Sequence, residues 1–380
     1  MCPVQPNHRK IVSYNSFPPP PPYPSAYDWY QGHGTHVSGI VAGAAGPNYI
    51  LATQYNGSAP GAKIVFDDIS NTEPYLNYLP WDLNNSLYPH AYGNGARIHS
   101  NSWGRKYSRS YDFQCVETDS FMYDHDDFLV VFAAGNSGPY PFSIGSPGVA
   151  KNVLSVGSSL NSQYKHTDLS IFSSRGPTFD LRNKPDIIAP GQNIFSASSD
   201  GIRNSYQCAN SIGLNKSCIL EMSGTSMATP AVAGAAAIVR QYFEQGYQVS
   251  GERSDDKSAN PSSALVKAMI IQSSKPLRSF GSDMSWQEST ESPSPEQGYG
   301  LLDLSSVLWF GPDSNFVLKT YDRVELYTAL LCYIWRNQFR ATLVWTDPPG
   351  SMYASKSLIS DLDLFVVDVN GSTHYGNHRT

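Results

Sequence analysis

The chain has 380 residues, of which 40% are hydrophobic and 15% charged, and carries a net charge of −6. That length is too great for one ordinary core and suggests two or three domains. No run approaches the ~18 apolar residues of a membrane-spanning helix. The absence of basic clusters argues against a nucleic-acid partner. Residues 1–6 lack the charged and apolar regions of a signal peptide.

The prolines between Pro18 and Pro24 read as an exposed polyproline II spacer, or as a docking segment for a proline-reading module. A helix is expected after His33, a strand over 62–69, a helical stretch around 75–94, a strand over 97–103 and a helix over about 111–125. Phe128-Leu129-Val130-Val131-Phe132-Ala133-Ala134 reads as a parallel strand buried on both faces. Short strands are expected at 153–156 and 186–188. A long helix of small residues runs through 231–239 and ends near Gly246, and Pro261-Ser262-Ser263 starts a capped helix over 264–271. Residues 250–258 and 289–296 read as surface loops. Strands alternating with helices indicate an α/β fold whose parallel sheet is covered on both faces. After Leu304 the pattern turns strand-like, at 316–318, 340–345 and 362–369, and Asn370-Gly371 signals a hairpin turn. The expected division is 1–310 and 311–380.

Gly224-Thr225-Ser226-Met227-Ala228-Thr229-Pro230 opens the long helix. Pro230 reads as lying in the first turn, where a missing N–H costs little. Ser226 is then either a helix cap or a nucleophile beside unpaired N–H groups that can hold developing negative charge. The segment alone does not separate the two. Gly32-His33-Gly34-Thr35-His36-Val37 is a second turn-to-helix start. A general base for Ser226 must be a histidine within reach. His33 suits that role, whereas His36 reads as a packed core residue. Gly135-Asn136 closes the buried strand at its carboxyl end, where open α/β sheets place their sites. The Asn136 amide can donate to an oxyanion, or mark an ordinary turn.

In the order His, Asn, Ser these stretches resemble the subtilisin family of serine peptidases (subtilases, peptidase family S8). The likeness extends through Ala59-Pro60-Gly61-Ala62-Lys63, Asn101-Ser102-Trp103-Gly104, Ser146-Pro147-Gly148 and Phe172-Ser173-Ser174-Arg175-Gly176-Pro177. It continues through Lys184-Pro185-Asp186-Ile187-Ile188-Ala189-Pro190-Gly191 and Gly298-Tyr299-Gly300. The resemblance implies a subtilisin-like fold and endopeptidase activity on protein or peptide substrates. His33 would be the base, Ser226 the nucleophile, and Asn136 with the Ser226 N–H the oxyanion hole. Ser102, Trp103 and Gly104 would pair with substrate as an added strand. Ala133, Ala134 and Gly135 would wall the primary pocket, their small size suggesting a broad preference. No cofactor is required. Structural calcium is common in the family, but no D-x-[DN]-x-[DN]-G loop occurs, so no metal ligand is named.

The family's triad has a third member, an aspartate on the first core strand that orients the histidine. Asp28 lies too close to His33 and better matches an acidic residue that precedes the family's histidine turn. Asp67 and Asp68 match no triad position. Asn7-His8-Arg9-Lys10-Ile11-Val12-Ser13-Tyr14 resembles the strand after the aspartate turn in a subgroup like the alkaline protease KP-43. Residues 311–380 resemble the opening half of that subgroup's C-terminal β-sandwich. The expectation is a secreted enzyme truncated at both ends, its catalytic aspartate, signal and propeptide upstream of Met1. Loss of that carboxylate costs on the order of 10⁴ in turnover, in the subtilisin triad itself, so this chain is expected to be weakly active or inactive. The alternative is a catalytically impaired relic that binds peptides or acts as an interaction module. Of the five cysteines, Cys208 and Cys218 flank a loop suited to a disulfide, with unlinked thiols as the alternative. Sequons at Asn56, Asn84, Asn215 and Asn370 permit glycosylation.

Overall fold

The computed structural model describes residues 8–17, 28, 30–46, 50–69, 82–106, 108–161, 167–201, 218–280, 286–288, 292–311, 316–323, 328–335, 338–352 and 354–378. The proline run at 18–24, Cys208 (and with it the expected Cys208–Cys218 pairing) and Asn215 lie outside these residues.

The strand expected to be buried on both faces is the middle of the fold. The chain first lays down β1 (Ile11–Ser16), β2 (Tyr30–Gln31) and β3 (Ile64–Asp68), then β4 (Ile98–Asn101), β5 (Leu129–Ala133), β6 (Leu154–Leu160) and β7 (Ile187–Gln192). β4, β5, β6 and β7 form a parallel sheet in that order, and β1 pairs in parallel with β3. Every residue of β5 is buried, because both its edges are paired and both faces are packed. Short antiparallel ladders join β8 (Ile194–Ala197) to β10 (Ile219–Met222) and β2 to β9 (Ser199–Asp200). Another joins β11 (Arg278–Phe280) to β12 (Trp286–Glu288). β6 runs past the expected 153–156 through Gly157-Ser158-Ser159, whose small side chains are buried without any apolar alternation.

The helices are α1 (His33–Ala42), α2 (Tyr88–Gly93), α3 (Phe113–Asp124), α4 (Thr225–Glu244), α5 (Tyr247–Ser250) and α6 (Ser263–Gln272). Within the stretch expected to be helical around 75–94, the described part is a π-helical turn, Leu83–Leu87, running into α2. The Asp82 carboxylate caps that turn and Asp112 caps α3, each accepting a backbone N–H three residues on. α4 crosses all four strands of the parallel sheet and packs on α1 and α6. Its alanines and glycine let the helix lie close to the strands, with Val232, Val239 and Phe243 supplying the bulk. Burying each of those larger side chains is worth about 1.5–3 kcal/mol.

Residues 316–345 form an antiparallel meander, β13 (Phe316–Asp322), β14 (Thr328–Trp335) and β15 (Gln338–Trp345), followed by the hairpin β16 (Phe365–Val367) and β17 (Thr373–Tyr375). The meander packs on α6. All of α6 is buried, as a helix covered on every side must be. Beyond β15 the chain is fixed to the body by a buried ion pair between Lys151 Nζ and Asp347 Oδ2 at 2.5 Å. Asp347 is also satisfied by the Ile359 and Ser360 N–H groups at 2.9 and 2.7 Å, so its burial leaves few lone pairs unmet.

Candidate active site

Ser226 is the second residue of α4, and Pro230 the sixth. Pro230 therefore sits beyond the first turn and removes the N–H that would bond to the Ser226 carbonyl. The Ser102 hydroxyl takes that place, donating to Ser226 O at 2.8 Å. In return the Ser226 hydroxyl donates to Ser102 O at 3.2 Å. The end of β4 and the mouth of α4 are thus joined by a reciprocal pair of bonds, one of them supporting a carbonyl that proline has orphaned.

The first-turn N–H groups of α4 are divided unequally. Thr225 N donates to Asn136 Oδ1 at 2.9 Å, and Thr225 Oγ1 donates to the same oxygen at 3.0 Å. Met227 N turns back to Gly224 O. Ser226 N has no acceptor among the described residues. Because Oδ1 of Asn136 is held by two donors, the amide is oriented with Nδ2 available. That nitrogen lies against the turn, 3.3 Å from where a Cβ on Gly224 would stand. Asn136 is exposed. It follows Gly135, whose φ of 110° turns the chain out of β5, and Gly135 N is anchored to Thr225 Oγ1 at 3.1 Å. Among the described residues, Ser226 N–H and Asn136 Nδ2 have no partner, and both lie at the Ser226 turn, at the positive end of a 20-residue helix.

His33 begins α1. Gly32 before it is left-handed (φ 59°), and a Cβ there would stand 2.7 Å from Asp28 Oδ2, so no larger residue fits. Asp28 caps the helix, Oδ2 accepting from Thr35 N at 2.6 Å. His33 is exposed to solvent, yet the protein around its ring disfavours the charged form and lowers its pKa from the usual histidine value, a shift the Asp28 charge opposes. Among the described residues no carboxylate is hydrogen-bonded to the His33 ring, and no hydrogen bond joins that ring to Ser226. His36 is fully buried. Its Nε2 donates to Leu220 O at 2.9 Å, and its carbonyl accepts from Ser196 Oγ at 2.8 Å. The core histidine thus ties α1 to the β8–β10 hairpin that leads into the Ser226 turn.

Trp103 packs edge-on against Phe132, with centroids 5.0 Å apart, and its Nε1 donates to Asn101 Oδ1 at 3.0 Å. Gly104 is exposed, and Arg105 N donates to Ser146 O at 2.8 Å. The buried Ala133 and Ala134 continue β5 to Gly135. Sequence reasoning passed over Thr225, Ser102's role toward Pro230, and a cavity lined by Arg105, Lys106, Ser108, Arg109, Ser110 and Phe179. The threonine beside a candidate nucleophile was the available signal for the first. Among the described residues no group of three or more His, Cys, Asp or Glu side chains is arranged to hold a metal ion, and no helix is long and apolar enough to cross a membrane.

The fold has counterparts in known proteins. A solved structure titled as the prenylagaramide maturation protease PagA superposes with a TM-score of 0.52 at 22% identity, covering 80% of this chain and 88% of that one; at that identity the likeness concerns fold alone. The Dictyostelium discoideum serine protease/ABC transporter B family protein tagD is 30% identical over 98% of this chain, which spans 27% of its length. The Bacillus subtilis (strain 168) serine protease AprX is 33% identical over 55% of this chain and 48% of its own. The chain therefore spans between about a quarter and a half of these relatives. The pattern of the Subtilase family, Peptidase_S8, matches residues 4–300, the stretch that contains β1 to β12 and both helix mouths, and the chain belongs to that family.

Proposed function

We propose that this chain is the catalytic body of a serine endopeptidase. Ser226 attacks a peptide carbonyl, and His33 takes its proton and returns it to the leaving amine. The tetrahedral oxygen is held by the Ser226 N–H and Asn136 Nδ2, and water then cleaves the acyl-enzyme. Substrate lies as an added strand along Ser102-Trp103-Gly104, with Ala133, Ala134 and Gly135 walling its primary pocket. The observation that carries this reading is the division of donors at the mouth of α4. Thr225 N and Oγ1 hold Asn136 Oδ1, which reserves Nδ2 and Ser226 N for an incoming oxyanion.

The lowered pKa of His33 keeps its imidazole neutral, the form a general base requires. Its orienting carboxylate comes, on this reading, from outside the described residues, as on the aspartate strand of KP-43-like subtilases. Without it the chain acts slowly. Export from the cell belongs to the same proposal. A fluorophosphonate probe tests it: one adduct is expected, on Ser226, lost in Ser226→Ala. Absence of any adduct on a folded chain removes the reading.

A further inference from the structure

We propose that the cavity of about 540 Å³ lined by Arg105, Lys106, Ser108, Arg109, Ser110 and Phe179 receives an acidic side chain, Glu or Asp, of a bound peptide. This rests on the peptidase reading above and gives it a substrate preference. Three cations within five positions are exceptional in a chain with only 26 Lys and Arg among 380 residues and a net charge of −6. The fold gathers them. Arg105 is fixed by its N–H to Ser146 O at 2.8 Å, and its guanidinium lies 5.1 Å from the centre of the Phe113 ring.

Asp112 and Asp180 brace the loops that carry the cavity. Asp112 accepts from Ser108 Oγ at 2.7 Å, Ser146 Oγ at 2.6 Å and Cys115 N at 3.3 Å. Asp180 accepts from Thr178 Oγ1 at 2.6 Å, Arg182 Nε at 2.9 Å and Ser357 N at 3.0 Å. The far wall is Phe179, 59% exposed and held against Phe142 with ring centroids 6.0 Å apart. Phe142 and Leu181 both have left-handed backbones, φ 55° and 64°. That is a strained state for bulky residues, one that surrounding structure must enforce and that clusters at binding sites. An aromatic wall opposite guanidinium and ammonium groups suits the methylenes and carboxylate of a glutamate.

Position follows from the edge that carries the cavity. Ser102 O meets the Ser226 hydroxyl at 3.2 Å, and Arg105 is three residues further along. Three residues span at most about 10 Å even when fully extended, so the cavity begins within about 10 Å of the Ser102 carbonyl. An added substrate strand would present there a side chain about three residues from the scissile bond.

The test uses the full chain carrying Ser226→Ala, so that binding is read without turnover. Fluorescent octapeptides that differ only by Glu or Gln at one scanned position are titrated by anisotropy. The Glu peptide is expected to bind about tenfold tighter at one position, near the third from the scissile bond, and this advantage should fade toward 0.5 M salt, as exposed charge pairs are screened at about this ionic strength. Lys106→Gln with Arg109→Gln should remove the advantage, and Arg109→Lys should keep it. Equal affinities, an advantage at every position, one that survives the double substitution, or no peptide binding would overturn the inference. Fluorophosphonate labelling of the unsubstituted chain separates the two readings. A Glu advantage without labelling removes the peptidase alone, and labelling without a Glu advantage removes the acidic subsite alone.

Discussion

The two helix mouths of the site are built to different degrees. At α4, Ser226 and Thr225 are cross-braced to Ser102, Gly135 and Asn136 by five hydrogen bonds, so the proposed nucleophile and the two proposed oxyanion donors are held in place without a ligand. At α1, His33 rests on a helix capped by Asp28, and its ring is bonded to no carboxylate among the described residues. The difference teaches that, on the proposed reading, the described residues assemble the electrostatic half of a subtilase site without a carboxylate on the proposed base. The first is drawn from turns and strand ends within one sheet, whereas the second is proposed to depend on a carboxylate from outside the described residues.

The largest effect that separates the mouths is Ser226→Ala, which should abolish fluorophosphonate labelling altogether. Asn136→Ala comes next. It removes the proposed oxyanion donor and the acceptor that holds Thr225, and should slow peptide hydrolysis by about 10²–10³, measured as kcat/KM. At α1 the expected effects are smaller. On the proposed reading labelling needs neutral His33, whose pKa is lowered from 6.5 because the protein around its ring disfavours the imidazolium. The labelling rate should therefore rise with pH, tenfold per unit at first, and level off by a midpoint below 6.5. Asp28 raises the His33 pKa, so Asp28→Asn should move that midpoint lower still; a midpoint that moves upward would show that Asp28 does not act on His33 through its charge. Smallest is the cap itself. Asp28→Ala should cost about 1 kcal/mol in urea unfolding and leave the Ser226 turn intact.

The same contrast governs how far the sequence could be read. β5, α4 and α6 announce themselves by long apolar or alanine-rich runs, and His33, Asn136 and Ser226 by the glycines that turn the chain beside them. β6 extends through Gly157-Ser158-Ser159, where burial rests on small size and leaves no periodic trace. β14 is apolar almost throughout and is recognised only from its pairing with β13 and β15. The role of Ser102 toward the carbonyl orphaned by Pro230 joins residues 124 positions apart and has no local signature. Arg105, Lys106 and Arg109 lie together in the sequence, but only the fold brings Phe179 to the same cavity. Local rules thus recover the elements and their mouths, while the bonds between mouths belong to tertiary structure.

The central claim, that the nucleophile half is complete and the base half is not, is tested most directly by the ratio of labelling rates of the chain and its His33→Ala variant. In subtilisin, a member of the same family with its triad intact, losing the histidine costs on the order of 10⁶ and losing only the carboxylate on the order of 10⁴. A histidine without its carboxylate is therefore expected to contribute about 10². A ratio near 10² is the expected result. A ratio near 10⁶ would mean that a carboxylate already orients His33 in this chain, and would contradict the claim.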